Sequence, residues 1–126
     1  MEAMRVMLVD DNLDAIQSLA MLLQLEDYET AVYDNPLAAL EAASARCPGA
    51  AIVDIAMPGM NGHELAARLR ELPGCTGIAI AAITAYDSPQ ARENSKKAGI
   101  ELHIRKPADL REILAFLERA RSREAA

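Results

Sequence analysis

The chain is short of several things, and each shortage narrows what it can do. It has only two cysteines, Cys47 and Cys75, among 126 residues. They lie in or beside Pro-Gly segments, show no metal-ligand spacing, and read as two ordinary reduced thiols. Positive charge is also scarce. Thirteen Lys and Arg stand against 19 Asp and Glu, for a formal net charge of -6. A nucleic-acid binder usually carries a basic face, so direct nucleic-acid contact is not expected. No apolar run reaches the ~18 residues that suggest a membrane span. The start, Met1-Glu2-Ala3-Met4-Arg5, lacks a signal-peptide profile and leads directly into a strand-like run. Membrane insertion is therefore not expected, and a cytoplasmic address follows by elimination. Internal repeats and low-complexity stretches are missing too. The expectation is one domain over residues 1–126, with a core at about 4–118 and 119–126 as a charged tail, a frayed helix end or the start of a linker.

Apolar residues make up 52% of the chain, enough to bury a core without a crosslink or structural metal. They fall into five short runs that alternate with five helix-like patterns. The runs are Val6-Met7-Leu8-Val9, the more polar Glu29–Tyr33, Ala50-Ala51-Ile52-Val53, Ile78–Ile83 and Leu102-His103-Ile104. The first reads as a strand buried on both faces, the second as a sheet edge. Between them, Ile16, Leu19, Leu22 and Leu23 recur at helical spacing. Asn35-Pro36 and Ser88-Pro89 open helices with Pro in the first turn. Pro73-Gly74 ends the helix through Leu65 and Leu69, Gly99 follows the fourth helix as a C-cap, and Asp109 caps the last. Such alternation predicts an α/β fold, a parallel sheet covered on both faces as a three-layer sandwich.

Four of the strands end in polar groups: Asp10 and Asp11 after strand 1, Asp54 after strand 3, Thr84 after strand 4 and Lys106 after strand 5. In a parallel sheet these ends share one edge, where open α/β sheets bind ligands. Three crowded carboxylates repel one another unless a cation joins them or their pKa values rise. A hard divalent ion such as Mg²⁺, held by one or two carboxylates, water and phosphate oxygens, relieves that repulsion. Lys106 adds a compact positive charge and Thr84 a hydroxyl donor. The set suits a transferring phosphoryl group, with Asp54 as the nucleophile of an aspartyl phosphate. Taken singly, each of these residues has a plainer reading as a turn former, helix cap or solvated charge.

From about Met4 to Leu117 the chain resembles the receiver domain of two-component response regulators. The resemblance rests on Val9-Asp10-Asp11-Asn12, Asp54-Ile55-Ala56-Met57-Pro58-Gly59-Met60-Asn61-Gly62, Ile83-Thr84-Ala85 and Arg105-Lys106-Pro107. It implies a flavodoxin-like (βα)5 fold with strand order 2-1-3-4-5. It also implies Asp54 as phosphoacceptor, and Asp10, Asp11, Asp54 and the Ala56 backbone carbonyl as ligands of Mg²⁺ (or Mn²⁺). Thr84 and Lys106 would contact phosphoryl oxygens, and a cis peptide bond would precede Pro107. The implied donor is a sensor histidine kinase or histidine phosphotransfer protein. The implied readout is a changed helix 4, strand 5, helix 5 surface, seen by a downstream effector or an attached output domain. A receiver of a hybrid histidine kinase fits as well as a free regulator. No separate substrate is implied, only self-phosphorylation and slow self-dephosphorylation, with Tyr86 shielding the acyl phosphate and Ala56 offering nothing to orient water.

The chain departs from the family at His103, which stands where a Tyr or Phe switch is usual. It is either a half-exposed edge histidine or a titratable switch residue working with Thr84. His63, in the first turn of helix 3, reads as surface decoration. Two other classes fit the residues less well. A pseudo-receiver that never takes phosphate typically lacks one of the acids or the lysine, and none is missing. An aspartyl phosphatase needs a second Asp two residues after one ending strand 1, and a flavin carrier needs a Gly-rich loop there; Asp10-Asp11-Asn12 provides neither.

Overall fold

Strands and helices alternate along the whole chain in the computed structural model, which describes residues 3–85 and 87–125. The strands are β1 (Arg5–Val9), β2 (Glu29–Tyr33), β3 (Ala50–Val53), β4 (Ala79–Thr84) and β5 (Leu102–Arg105). The helices are α1 (Leu13–Leu25), α2 (Pro36–Ala45), α3 (Gly62–Glu71), α4 (Pro89–Lys97) and α5 (Leu110–Ala125). All strand pairs are parallel, and the sheet order is β2-β1-β3-β4-β5. The expected fold class and strand order are both found. The charged segment from Arg119 to Ala125 continues α5.

Side-chain alternation along the strands divides the core into two layers. Val6 and Leu8 turn to one face with Ile16, Ala20 and Leu23 of α1 and Ile113, Phe116 and Leu117 of α5. Met7 and Val9 turn to the other, with Ala39 and Ala43 of α2 and Leu65, Ala66 and Leu69 of α3. β1, apart from Arg5, and β3 and β4 throughout are buried, whereas β2 is only partly so. This matches the contrast between the apolar runs and the polar second strand.

Local chemistry sets the helix starts. The side chains of Asn12, Asn35, Asn61 and Ser88 each accept from backbone N–H groups of the following turn, at Ala15, Leu37 and Ala38, Glu64 and Ala91. Asp109 does the same for Arg111 N–H at 2.9 Å. Gly99 has φ +85°, as a helix end in the left-handed region favours. α4 stands apart from the others. It buries only Ser95, a polar residue, so no apolar stripe anchors it.

One expectation fails. Cys47 and Cys75 form a disulfide, with Cα atoms 5.5 Å apart and a sequence separation of 28. The α2–β3 and α3–β4 connections carry these residues, and because β3 and β4 are neighbours the two turns lie side by side. Sequence spacing conceals that adjacency.

Candidate functional site

The sheet ladder runs one residue past several strands and fixes the backbone of the acidic site. Asp10 N–H donates to Tyr33 O (3.1 Å), Asp54 N–H to Val9 O (2.9 Å) and Lys106 N–H to Thr84 O (2.8 Å). The main chains are thus held by neighbouring strands, while the side chains stand at the carboxyl edge. Each of Asp10, Asp11 and Asp54 can offer a carboxylate oxygen within 4.8 Å of the others. Asp10 and Asp54 are 7% exposed, and Asp11 faces outward. Lys106 Nζ bridges the buried pair, 3.2 Å from Asp10 Oδ2 and 3.6 Å from Asp54 Oδ2. Asn12 N–H donates to Asp10 Oδ1 at 2.9 Å, which orients that carboxylate. The bond before Pro107 is cis, as expected.

Electrostatics marks Asp54. Burial, followed by the neighbouring Asp10 charge, pushes its pKa up to about 6, against opposing effects of Lys106 and a hydrogen bond from the Ala56 backbone. One ammonium does not neutralise three carboxylates. A hard cation with oxygen ligands fits this donor set, with Asp11 open to solvent on its outer side.

The loop after β3 returns to the site through Gly62, the first residue of α3. Gly62 N–H donates to Ile55 O at 2.9 Å. A Cβ at Gly62 would lie 2.4 Å from Asp54 O and 2.9 Å from Ile55 Cα. Only glycine permits this approach, which seats α3 against the backbone of the acidic loop. The glycine is visible in the sequence, but its contact is not.

Thr84 ends β4 fully buried, in register with Arg105 of β5. His103 lies opposite Ala82 on β5, an edge strand as expected, but its side chain is only 6% exposed, so the ring is not half-exposed. Its Nδ1 is 2.8 Å from Ser95 Oγ, and the same hydroxyl is 3.0 Å from His63 Nε2. His63 is therefore bound between α3 and α4 and is not surface decoration. Ser95 drew no notice in the sequence, because nothing marks a serine in a polar helix as buried. Tyr86 lies outside the described residues. A groove of ≈ 570 Å³ between α1 and the start of α5 opens onto Asp10, Asp54 and Lys106, and Leu19, Leu22 and Pro107 line its apolar side.

Comparison with known proteins agrees with the fold. The profile of the family described as response regulator receiver domain matches residues 6–118. An uncharacterised 14.6 kDa protein of Leptolyngbya boryana is 31% identical over 91% of this chain and 88% of its own length. Response regulator MprA of Mycobacterium leprae is 32% identical over 89% of this chain and 48% of its own. The chain thus spans about half the length of that relative. A CheY-like receiver domain protein from Methanospirillum hungatei superposes with a TM-score of 0.89 at 26% identity, over 98% of each chain.

Proposed function

The chain belongs to the response regulator receiver domain family, and from that premise we propose that residues 1–126 act as one phosphorylatable switch whose acceptor is Asp54. The observation that carries this reading is the junction of Asp10, Asp11 and Asp54 with Lys106 at the carboxyl edge of the sheet.

In the proposed reaction an ionised Asp54 oxygen attacks the phosphorus of a phosphohistidine. The new P–O bond forms as the P–N bond breaks, and the imidazole leaves with the electron pair. Asp10, Asp11, Asp54 and the Ala56 carbonyl would hold Mg²⁺ or Mn²⁺, which supplies charge neutralisation for the phosphoryl oxygens. Lys106, now shared by Asp10 and Asp54, turns to a phosphoryl oxygen. Thr84 donates its hydroxyl to another, and that movement repositions the β4–α4 loop and the α4, β5, α5 surface.

The donor is a sensor histidine kinase or phosphotransfer protein. The apolar groove beside α1 leads to Asp54 and suits a helix carrying the phosphohistidine. The output is a separate effector or an attached domain; MprA, of which this chain matches 48%, leaves room for one. Among the described residues no helix is long and apolar enough to cross a membrane; a cytoplasmic site of action belongs to this proposal.

Incubation with acetyl phosphate and Mg²⁺, followed by intact mass measurement, tests the reading. We expect one phosphoryl adduct per chain, abolished in Asp54→Asn. An unmodified wild-type chain would overturn it and favour a binding module that never accepts phosphate. Because Asp54 must be ionised, the initial rate at low Mg²⁺ should fall as pH drops through about 6. Saturating Mg²⁺, which favours the carboxylate, should move that fall to lower pH.

A further inference from the structure

The Cys47–Cys75 bond is not sealed evenly on both sides. Cys75 is 0% exposed, whereas Cys47 is half-buried and lines a cavity of ≈ 380 Å³. The cavity lies at the amino end of the sheet, among the α2–β3 turn, the α3–β4 turn and α5. Its walls include Gly49, Gly74 and Gly77 and, from α5, Ala120 and Arg123. Two of these glycines leave the wall open: a Cβ at Gly74 or Gly77 would meet nothing within 4 Å. The volume sits at the small end of the range for small-molecule sites, roughly 300–1,000 Å³, and suits a molecule of tripeptide size.

Arg123 brings positive charge to this cavity. Its Nη2 is 3.1 Å from Glu101 Oε1, and Arg70 Nη2 is 3.5 Å from the same oxygen. Two guanidinium groups thus share one carboxylate, which leaves one positive charge in excess. Arg70 is also anchored by donating from Nε to Gly99 O at 3.0 Å. Arg123, with a side chain 54% exposed, is free to turn to an incoming anion while Arg70 keeps Glu101. In thiol–disulfide exchange a thiolate attacks one sulfur of the bond, and access helps decide which. Here only the Cys47 side opens on a cavity, and a cation stands in its wall.

We propose that Cys47 is the entry sulfur of a thiol-exchange site, and that the cavity beside it takes a small thiol bearing carboxylates. The thiolate attacks Cys47 Sγ. A bond forms between those two sulfurs as the Cys47–Cys75 bond breaks, and the electron pair leaves on Cys75 Sγ, which takes up a proton. A second thiolate then attacks the sulfur of the bound molecule, and Cys47 leaves as the thiolate. In sum, two small thiols are oxidised to their disulfide and the protein disulfide is reduced to two thiols. Before that second attack, Cys75 can return to Cys47 and expel the first thiol, so the step is reversible. None of these residues belongs to the acidic constellation, so the proposal stands or falls apart from the phosphoacceptor reading.

Glutathione, an anionic tripeptide thiol, is the probe, and mercaptoethanol, smaller and uncharged, is the control. Wild type is oxidised with glutathione disulfide and freed of it, and its reduction by each thiol is followed by trapping free thiols. Failure of the Cys47–Cys75 bond to form would overturn the proposal outright. Gly77 lies outside the left-handed region and accepts a side chain. Gly77→Leu, which fills the cavity, should slow glutathione at least about tenfold and mercaptoethanol far less. Arg123→Ala should slow glutathione about threefold, the scale of an exposed ion pair, and leave mercaptoethanol unchanged. An unaltered glutathione rate in Gly77→Leu would overturn the cavity as the entry; an unaltered rate in Arg123→Ala would overturn the preference for an anion. Cys75→Ala and Cys47→Ala, which both lack the crosslink, are then treated with glutathione disulfide at a temperature where circular dichroism shows both folded. By intact mass the first should gain a glutathione adduct on Cys47, and the second should label Cys75 at least about tenfold more slowly. Equal labelling would overturn the assignment of Cys47.

Discussion

Asp54 destabilises the fold it serves when no cation is bound. Its pKa in the folded state, about 6, lies above the ordinary value of 3.8. The native state thus holds the proton more tightly than the unfolded chain, and stability falls as pH rises from about 4 to about 6. Above that range the full cost remains, on the order of 2–3 kcal/mol. Asp54→Asn should therefore raise the melting temperature of metal-free protein at pH 7.5 by about 5–10 °C. The gain should shrink below about pH 5 and on adding Mg²⁺, and thermal melts across pH check both trends. Gly62→Ala acts in the opposite sense. Its Cβ would press on the Asp54 carbonyl, and the displacement of α3 should cost about 1–3 kcal/mol by chemical denaturation. Asp10, Asp54, Thr84 and Lys106 were legible in the sequence because polar residues that end apolar strands stand out. Gly62's contact, Ser95's burial and the His63 partnership were not, since each depends on which helix lies against which.

At the level of elements, the capping residues and strand runs were readable because they are local: Asn35-Pro36, Ser88-Pro89 and Asp109 act within one turn of their helices. How firmly each helix is held was not readable. α1 buries Ile16, Ala20 and Leu23, and α3 buries Leu65, Ala66 and Leu69, whereas α4 buries only Ser95. Little apolar contact means low local opening energy. Native-state hydrogen exchange should find α4 amides the least protected of the first four helices. Equal protection in α4 and α3 would contradict this. Asn61→Ala, which removes the acceptor for Glu64 N–H, should cost about 1 kcal/mol and loosen α3 where it meets the acidic loop; thermal denaturation would show it.

For the molecule as a whole, the Cys47–Cys75 bond is the feature that composition argued against. Reduction would free a chain crosslinked across 28 residues, and loop-closure arithmetic puts the loss at about 3–4 kcal/mol. Dithiothreitol should accordingly lower the melting temperature by about 10 °C; an unchanged melt would mean that the bond does not form in solution. The crosslink also has a mechanical side. It clamps the turns entering β3 and β4, at the end of the sheet opposite Asp54 and Thr84. A body riveted at one end answers a push at the other by pivoting about the rivet. Any displacement begun at the acidic edge then grows with distance from this fulcrum, and α4, held through the Ser95 hydroxyl and not by an apolar footing, is the arm least firmly fixed.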